Sequence, residues 1–231
     1  MRPDIDKFIQ RLQNFPRPLR ERAFNPWKNF DEFNDTSKRS PAVRRRQLGE
    51  YLRLRIGKAR FCIIGEAVGY QGGHFSGIPM TSERILLGYH KADGIDPEDI
   101  LGGMEPRQTS RKELKPKGFS EPTATIVWRE LASSGFSAFS FVLWNAFAWH
   151  PYHPERGLLS NRTPGKKELD ESMPVLECFL KMFPEAEIIS LGRSARSQMD
   201  KTAREHTSLR HPAQGGAGVF RREFRKVLSS A

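Results

Sequence analysis

The chain has 231 residues, with Lys and Arg outnumbering Asp and Glu by 38 to 27 for a formal net charge of +11 and a pI near 9.9. This length fits one α/β domain with a modest extension and is enough to bury a sizeable core. No stretch approaches the roughly 20 apolar residues of a membrane span, and the two cysteines, Cys62 and Cys178, cannot build a disulfide framework.

The N-terminus, MRPDIDKFIQRL, is charged and amphipathic and lacks the apolar centre of a signal peptide. With so few cysteines, a reducing, cytoplasmic location is the expectation. A basic balance of this size attracts polyanions, nucleic acid first among them. Ribosomal attachment, anionic membrane surfaces and simple solubility would also account for it.

Ile5, Phe8, Ile9 and Leu12 recur at helical spacing and predict a first helix. The aromatic, proline-broken stretch that follows, over 14–34, reads as an extended arm. Ser40-Pro41 supplies an N-cap and a first-turn proline for a helix over 42–56. That helix carries Arg44, Arg45, Arg46, Arg53 and Arg55, either as a solvated basic face or as contacts to phosphates. Residues 1–58 are thus a helical and extended basic arm packing on the core, and 59–231 the core domain.

Phe61-Cys62-Ile63-Ile64 has the character of a short buried parallel strand. It runs into GEAVGYQGGHFSGIPMTS, 65–82, with glycines at 65, 69, 72, 73 and 77 and with Glu66, Tyr70, Gln71, His74 and Ser76 between them. So many glycines let a backbone pass close to a ligand; a long surface loop is the other reading. Ser82 starts a short helix, and 91–122, broken by prolines and glycines, reads as an insertion or flexible loop. A helix over 123–133 precedes the apolar strand FSFVLWNAF, 139–147. A long loop comes next over 148–169, in which Thr163-Pro164 caps a helix running to about Phe183. EIISL, 187–191, is a third strand, and Gly192 turns into a helix begun by Ser194. Thr207–Leu209 forms a short fourth strand ending in Arg210-His211-Pro212, and VFRREFRKVL is a basic amphipathic tail helix.

Strands alternating with helices predict an α/β fold: a single domain whose central four-stranded parallel sheet is flanked by helices on both faces. Ligands of such sheets bind at the carboxyl ends of the strands. Glu66, Asn145, Gly192-Arg193-Ser194 and His211 all fall there. A side-chain amide presents donor and acceptor in one plane, as a nucleobase edge does; it equally serves a neighbouring turn. A His at a strand end can donate to a developing anion or simply anchor its loop. Ser194 at a helix start makes a phosphate site or an ordinary cap. His150, His153 and His211 lack metal-ligand spacing and carboxylate or thiolate company, so no metal is expected. No phosphate-loop or dinucleotide glycine pattern is present.

Three motifs, GEAVGYQGGHFSGIPM, LWNAF with NRTP downstream, and RHPAQGG, resemble the uracil-DNA glycosylase superfamily in order and separation over about 60–220. The NRTP segment resembles the branch that carries an iron–sulfur cluster. That branch needs four cysteine ligands and this chain has two, so no cluster and no other cofactor is expected. The resemblance implies base excision repair: a monofunctional enzyme, expected to be a nucleoid-associated monomer, that flips uracil out of single- or double-stranded DNA and hydrolyses its N-glycosidic bond. It implies that Gly65, Glu66 and Ala67 bind the base, that Met80 covers its face and that Asn145 reads its edge. It implies that His211 steadies the departing anion. Ser194, Arg210 and the turn Gln214, Gly215, Gly216 and Gly218 would contact DNA.

The chain departs from the pattern where a water-activating Asp is usual: Ala67 stands there, Val68 replaces a common Pro, and Gly69 replaces a bulky Tyr. Glu66 is the nearest carboxylate, with Tyr70 and His74 as further groups to position water. If bond breaking precedes water attack, charge stabilisation by His211 and the DNA phosphates supplies much of the catalysis. Gly69 leaves room beside the base for deaminated purines or 5-substituted uracils. The rival reading is a binder that holds uracil or abasic DNA without turnover. No His lies between Lys91 and Trp149 to capture an abasic sugar covalently.

Overall fold

A computed structural model of the chain describes residues 4–14, 16, 19 and 21–230; positions 15, 17, 18 and 20 of the expected arm lie outside the described residues. In chain order the elements are α1 (Ile5–Gln13), β1 (Ala23–Phe24), α2 (Ser40–Arg53), β2 (Phe61–Ala67), α3 (Gly73–Ser76), α4 (Glu83–Leu86), α5 (Glu98–Leu101) and α6 (Pro122–Ala132). They continue with β3 (Phe141–Phe147), β4 (His150–Pro151), α7 (Lys166–Leu180), β5 (Glu187–Leu191), α8 (Gly192–Met199), β6 (His206–Leu209) and α9 (Ala217–Ser229). β3, β2, β5 and β6 lie side by side in that order, every neighbouring pair parallel, with helices flanking the sheet. The expected α/β architecture is therefore present. Each parallel crossover carries a helix, and the apolar runs that mark β2 and β3 are buried along their length as such a sheet requires.

β3 is an edge strand, yet all seven of its residues are buried. Side chains of α2 and of the turn after it complete its ladder. The Leu143 N–H donates to Tyr51 Oη at 2.6 Å, and Arg55 Nε donates to the Phe141 carbonyl at 2.8 Å. These side chains satisfy backbone groups that would otherwise be orphaned at a sheet edge. Tyr51→Phe should leave the Leu143 N–H unpaired and cost about 1–3 kcal/mol. Urea unfolding should show it as a lower midpoint at unchanged slope.

The row of arginines on α2 and the turn after it is not one surface. Arg44 and Arg55 are 0% exposed, while Arg46 and Arg53 face solvent. Arg44 donates to both Asp35 carboxylate oxygens (2.7 and 3.0 Å), to the Pro26 carbonyl (2.6 Å) and to the Asn29 carbonyl (2.9 Å). Arg55 donates to the carbonyls of Phe141, Tyr51, Ile100 and Asp99. The expected single solvated or phosphate-facing row is thus split, with two arginines acting as internal fasteners.

Local boundaries also shift. α2 begins at Ser40 itself, with Arg39 as the cap residue and no side-chain cap bond, and ends at Arg53, short of 56. α7 starts two residues beyond Thr163-Pro164, where the Gly165 N–H donates to Glu168 Oε2 at 2.7 Å. The loop over 148–169 is not wholly irregular: β4 pairs antiparallel with β1, Phe24 opposite His150, and lays the arm across the core. The 91–122 segment is pinned rather than flexible. Buried Glu83 accepts the N–H groups of Thr109 (2.6 Å) and Ser110 (3.0 Å) together with the Ser110 hydroxyl. Among the described residues no helix is long and apolar enough to cross a membrane.

Candidate functional site

A cavity of about 710 Å³ opens at the carboxyl ends of the strands, lined by Glu66 at the end of β2, Asn145 on β3, Ser194 after β5 and His211 after β6. Convergence comes from the sheet alone: four parallel strands end on one side, so the residues at or just past each end are delivered to one place. The register sets Gly65 beside Asn145, pairing β2 with the edge strand β3.

Gly65 carries no side chain for a reason visible here. A Cβ would stand 2.8 Å from Asn145 Oδ1 and 2.9 Å from Met80 Sδ. Both side chains therefore press onto bare backbone. Met80 holds a left-handed φ of 48°, an uncommon conformation for a side chain of its size. The backbone on either side is held: Ser76 Oγ hydrogen-bonds the Ile78 carbonyl at 3.0 Å and the Thr81 carbonyl at 2.6 Å, and Trp128 Nε1 donates to Thr81 Oγ1 at 3.0 Å. The stretch from Gly72 to Glu83 is buried throughout, which excludes a loose surface loop. α2 and the arm grip it. Gln47 Nε2 donates to the Ser76 carbonyl (2.7 Å) and Trp27 Nε1 to the Gly77 carbonyl (3.0 Å).

Asn145 is 1% exposed, and neither Oδ1 nor Nδ2 has a hydrogen-bond partner. Buried amides are nearly always satisfied. An orphaned donor and acceptor at a cavity floor is a site prepared for a planar polar ligand.

His211 sits between two glycines that make room for it. A Cβ on Gly192 would lie 3.0 Å from His211 Cβ, and one on Gly216 only 2.1 Å from the His211 carbonyl. The Ala213 N–H donates to His211 Nδ1 at 3.1 Å, so the neutral ring carries its proton on Nε2. Burial lowers the His211 pKa, with Glu66 opposing and Arg210 assisting. At neutral pH the ring is thus an uncharged Nε2–H donor at the cavity wall. Ser194 Oγ donates to Glu66 Oε2 at 2.7 Å; the hydroxyl expected to face phosphate holds this carboxylate instead. Arg193, Arg196 and Arg210 line the mouth and are exposed. The first turn of α8 opens there without a side-chain cap, so that backbone N–H groups and guanidinium groups offer positive charge to an anion.

The chain is similar in fold to SMUG2 of Pedobacter heparinus. The TM-score is 0.57 at 13% identity, over 98% of this chain and 97% of that one. At that identity the likeness is one of fold. No family model matches the chain, and no curated protein matches it.

Not every residue singled out in the sequence reaches the cavity. Ala67, Met80 and Gln214 line it with the residues above. Tyr70 does not: its ring lies edge-on to Phe119, and its N–H donates to Asn161 Oδ1 at 3.0 Å. His74 is fully buried, stacked on Phe24 at 4.2 Å, with Nδ1 2.9 Å from His150 Nδ1 and Nε2 3.2 Å from Asp31. It ties the arm to the loop over 148–169 rather than positioning water. Burial, with His74 beside it, drives His150 down to about 3, so that ring is neutral. Gly216 is buried beneath His211, whereas Gln214, in left-handed backbone at φ 52°, and Gly215 are exposed. Gly218 lies on the exposed first turn of α9. Among the described residues no three His, Cys, Asp or Glu side chains gather as a metal site.

Two of the lining residues given no role from sequence stand out. Arg162 forms a two-point ion pair with Glu168 (2.6 and 2.5 Å) and bonds the Arg22 carbonyl at 2.8 Å, so it braces the wall. The other is Glu121. Its Oε1 lies 3.1 Å from where a Cβ on Gly69 would stand. The room expected beside Gly69 is therefore occupied by a carboxyl group.

Proposed function

We propose that this chain is a DNA glycosylase that draws uracil, or another deaminated base, out of DNA into the cavity and hydrolyses the N-glycosidic bond to leave an abasic site. The observation that carries the reading is the orphaned Asn145 amide, whose unpartnered donor and acceptor match the edge of an extruded base. A neutral His211 with its proton on Nε2 suits a leaving base that gathers negative charge as the bond breaks. The exposed arginines at the mouth and the net charge of +11 suit the flanking phosphates. Three motif resemblances to the uracil-DNA glycosylase superfamily and the fold likeness to SMUG2 agree with it. No lysine lines the cavity among the described residues, which favours hydrolysis over an amine-linked sugar and hence a monofunctional enzyme.

Ala67 favours a second reading, a protein that holds uracil or abasic DNA without turnover, because it removes the carboxylate expected at that position. End-labelled duplexes and single strands containing uracil, hypoxanthine or xanthine, incubated with the protein and then treated with alkali, separate the two. Strand cleavage supports the enzyme, whereas a shifted but uncleaved band supports the binder. His211→Ala should slow base release by about 10²–10³-fold while changing DNA affinity little. A variant that retained the full rate would remove His211 from the chemistry.

A further inference from the structure

Hydrolysis needs a group to take a proton from water, and position 67 cannot supply it. Glu66 is the carboxylate nearest in sequence, but its Oε2 already accepts the Ser194 hydroxyl. Glu121 is placed differently. It occupies the cap position of α6 in extended backbone, yet its side chain makes no bond to the helix and turns to the cavity wall. Oε2 is sealed from solvent and has no hydrogen-bond partner. The glycine-rich loop is cut to fit it: a Cβ on Gly72 would stand 1.8 Å from Oε2. Burial alone lifts its pKa to about 7, with no neighbouring charge contributing. An uncompensated buried carboxyl weakens a fold, and such groups cluster where chemistry uses them.

We propose that Glu121 is the general base of this cavity, taking the proton of the water that attacks the sugar. The proposal rests on the glycosylase reading above. The C1′–N bond breaks with its electron pair leaving on the base, and the His211 Nε2–H stabilises the resulting anion. A water oxygen forms the new bond to C1′, and its proton passes to the Glu121 carboxylate. That proton then goes to the released base or to solvent, so the products are a protonated free base and an abasic sugar hydroxyl. The titratable and charged groups sharing the cavity are Glu66, His211 and the guanidinium groups of Arg162, Arg193, Arg196 and Arg210. Asn161, the other polar neighbour of Gly69, is uncharged.

Single-turnover base release from uracil duplex, followed against pH, tests this. The wild type should gain rate as pH rises through about 7. Glu121→Gln should be slower by about 10²–10⁴-fold and lose that limb, whereas Glu66→Gln should keep it. Added formate should restore part of the rate to Glu121→Ala, which a merely structural side chain would not allow. Folding is checked separately. Because the folded pKa lies above the ordinary value of 4.5, this group's contribution to stability is lost as pH rises from about 4.5 to about 7. Glu121→Gln should lack that loss. A Glu121→Gln enzyme with unchanged rate and pH profile would overturn the assignment while leaving the glycosylase reading intact. A folded wild type that releases no base from any of the duplexes would overturn both.

Discussion

Arg44→Met is expected to lower the free energy of unfolding by about 3–5 kcal/mol and the melting temperature by about 10 °C. The guanidinium is fully buried and its bonds reach several parts of the wrapping around the site: Asp35, the Pro26 and Asn29 carbonyls and, at 3.5 Å, the Thr109 hydroxyl. Removing it leaves Asp35, itself 1% exposed, as a buried carboxylate without its cation, and two carbonyls without donors. The backbone of Arg44 matters as well. A Cβ on Gly77, which holds φ 76°, would stand 2.6 Å from the Arg44 carbonyl, so the site loop rests directly on this turn of α2. Arg44→Lys should recover little of the loss, because one ammonium cannot reproduce a planar fork reaching both Asp35 oxygens and two carbonyls. In a double variant with Asp35→Asn the two losses should fall short of additive. Thermal melts followed by circular dichroism measure all three; a shift of only a degree or two for Arg44→Met would refute the fastener role.

This arginine shows where sequence reading stops. The strands and the groups at their ends are local features: an apolar run, a glycine cluster, a polar residue at a boundary. Parallel topology then brings those ends together, and for this reason Glu66, Asn145, Ser194 and His211 could be placed around one cavity from sequence. Whether Arg44 is solvated or buried depends on Asp35, Pro26 and Asn29, and the arm's path fixes their positions. No periodicity on α2 distinguishes Arg44 from Arg46. Glu121 was hidden for a related reason. It lies at the end of a proline- and glycine-rich stretch with no element signature of its own, and its meaning depends on Gly69 and Gly72, some fifty residues away. The available signal was the pair of glycines, which implied that something comes close. Tyr70 and His74 erred in the opposite direction, since their place in the glycine-rich stretch suggested a shared cavity. His74 instead serves an internal contact with Asp31 and His150.

Asn145→Leu should separate function from stability more sharply than any other change. Leu keeps the branched shape of Asn and removes two buried polar atoms that have no partner within the protein. Each unsatisfied group costs about 1–3 kcal/mol, so the variant should melt no lower than wild type, and up to a few degrees higher once crowding against Gly65 and Met80 is accommodated. Base release should fall by at least about 10²-fold, because a site built to hydrogen-bond its ligand loses most when one partner of those bonds is gone. Asn145→Asp should behave differently. A carboxylate at a position 1% exposed, with no donor supplied by the protein, should lower stability progressively as pH rises above about 4, and activity with it. The opposed signs for Leu are what matter. An Asn that served only the packing of β3 would lose stability and activity together, whereas an Asn held ready for a base loses activity while the fold is relieved of a strain it tolerates only for binding. Melting curves and single-turnover rates on the same preparations decide between them.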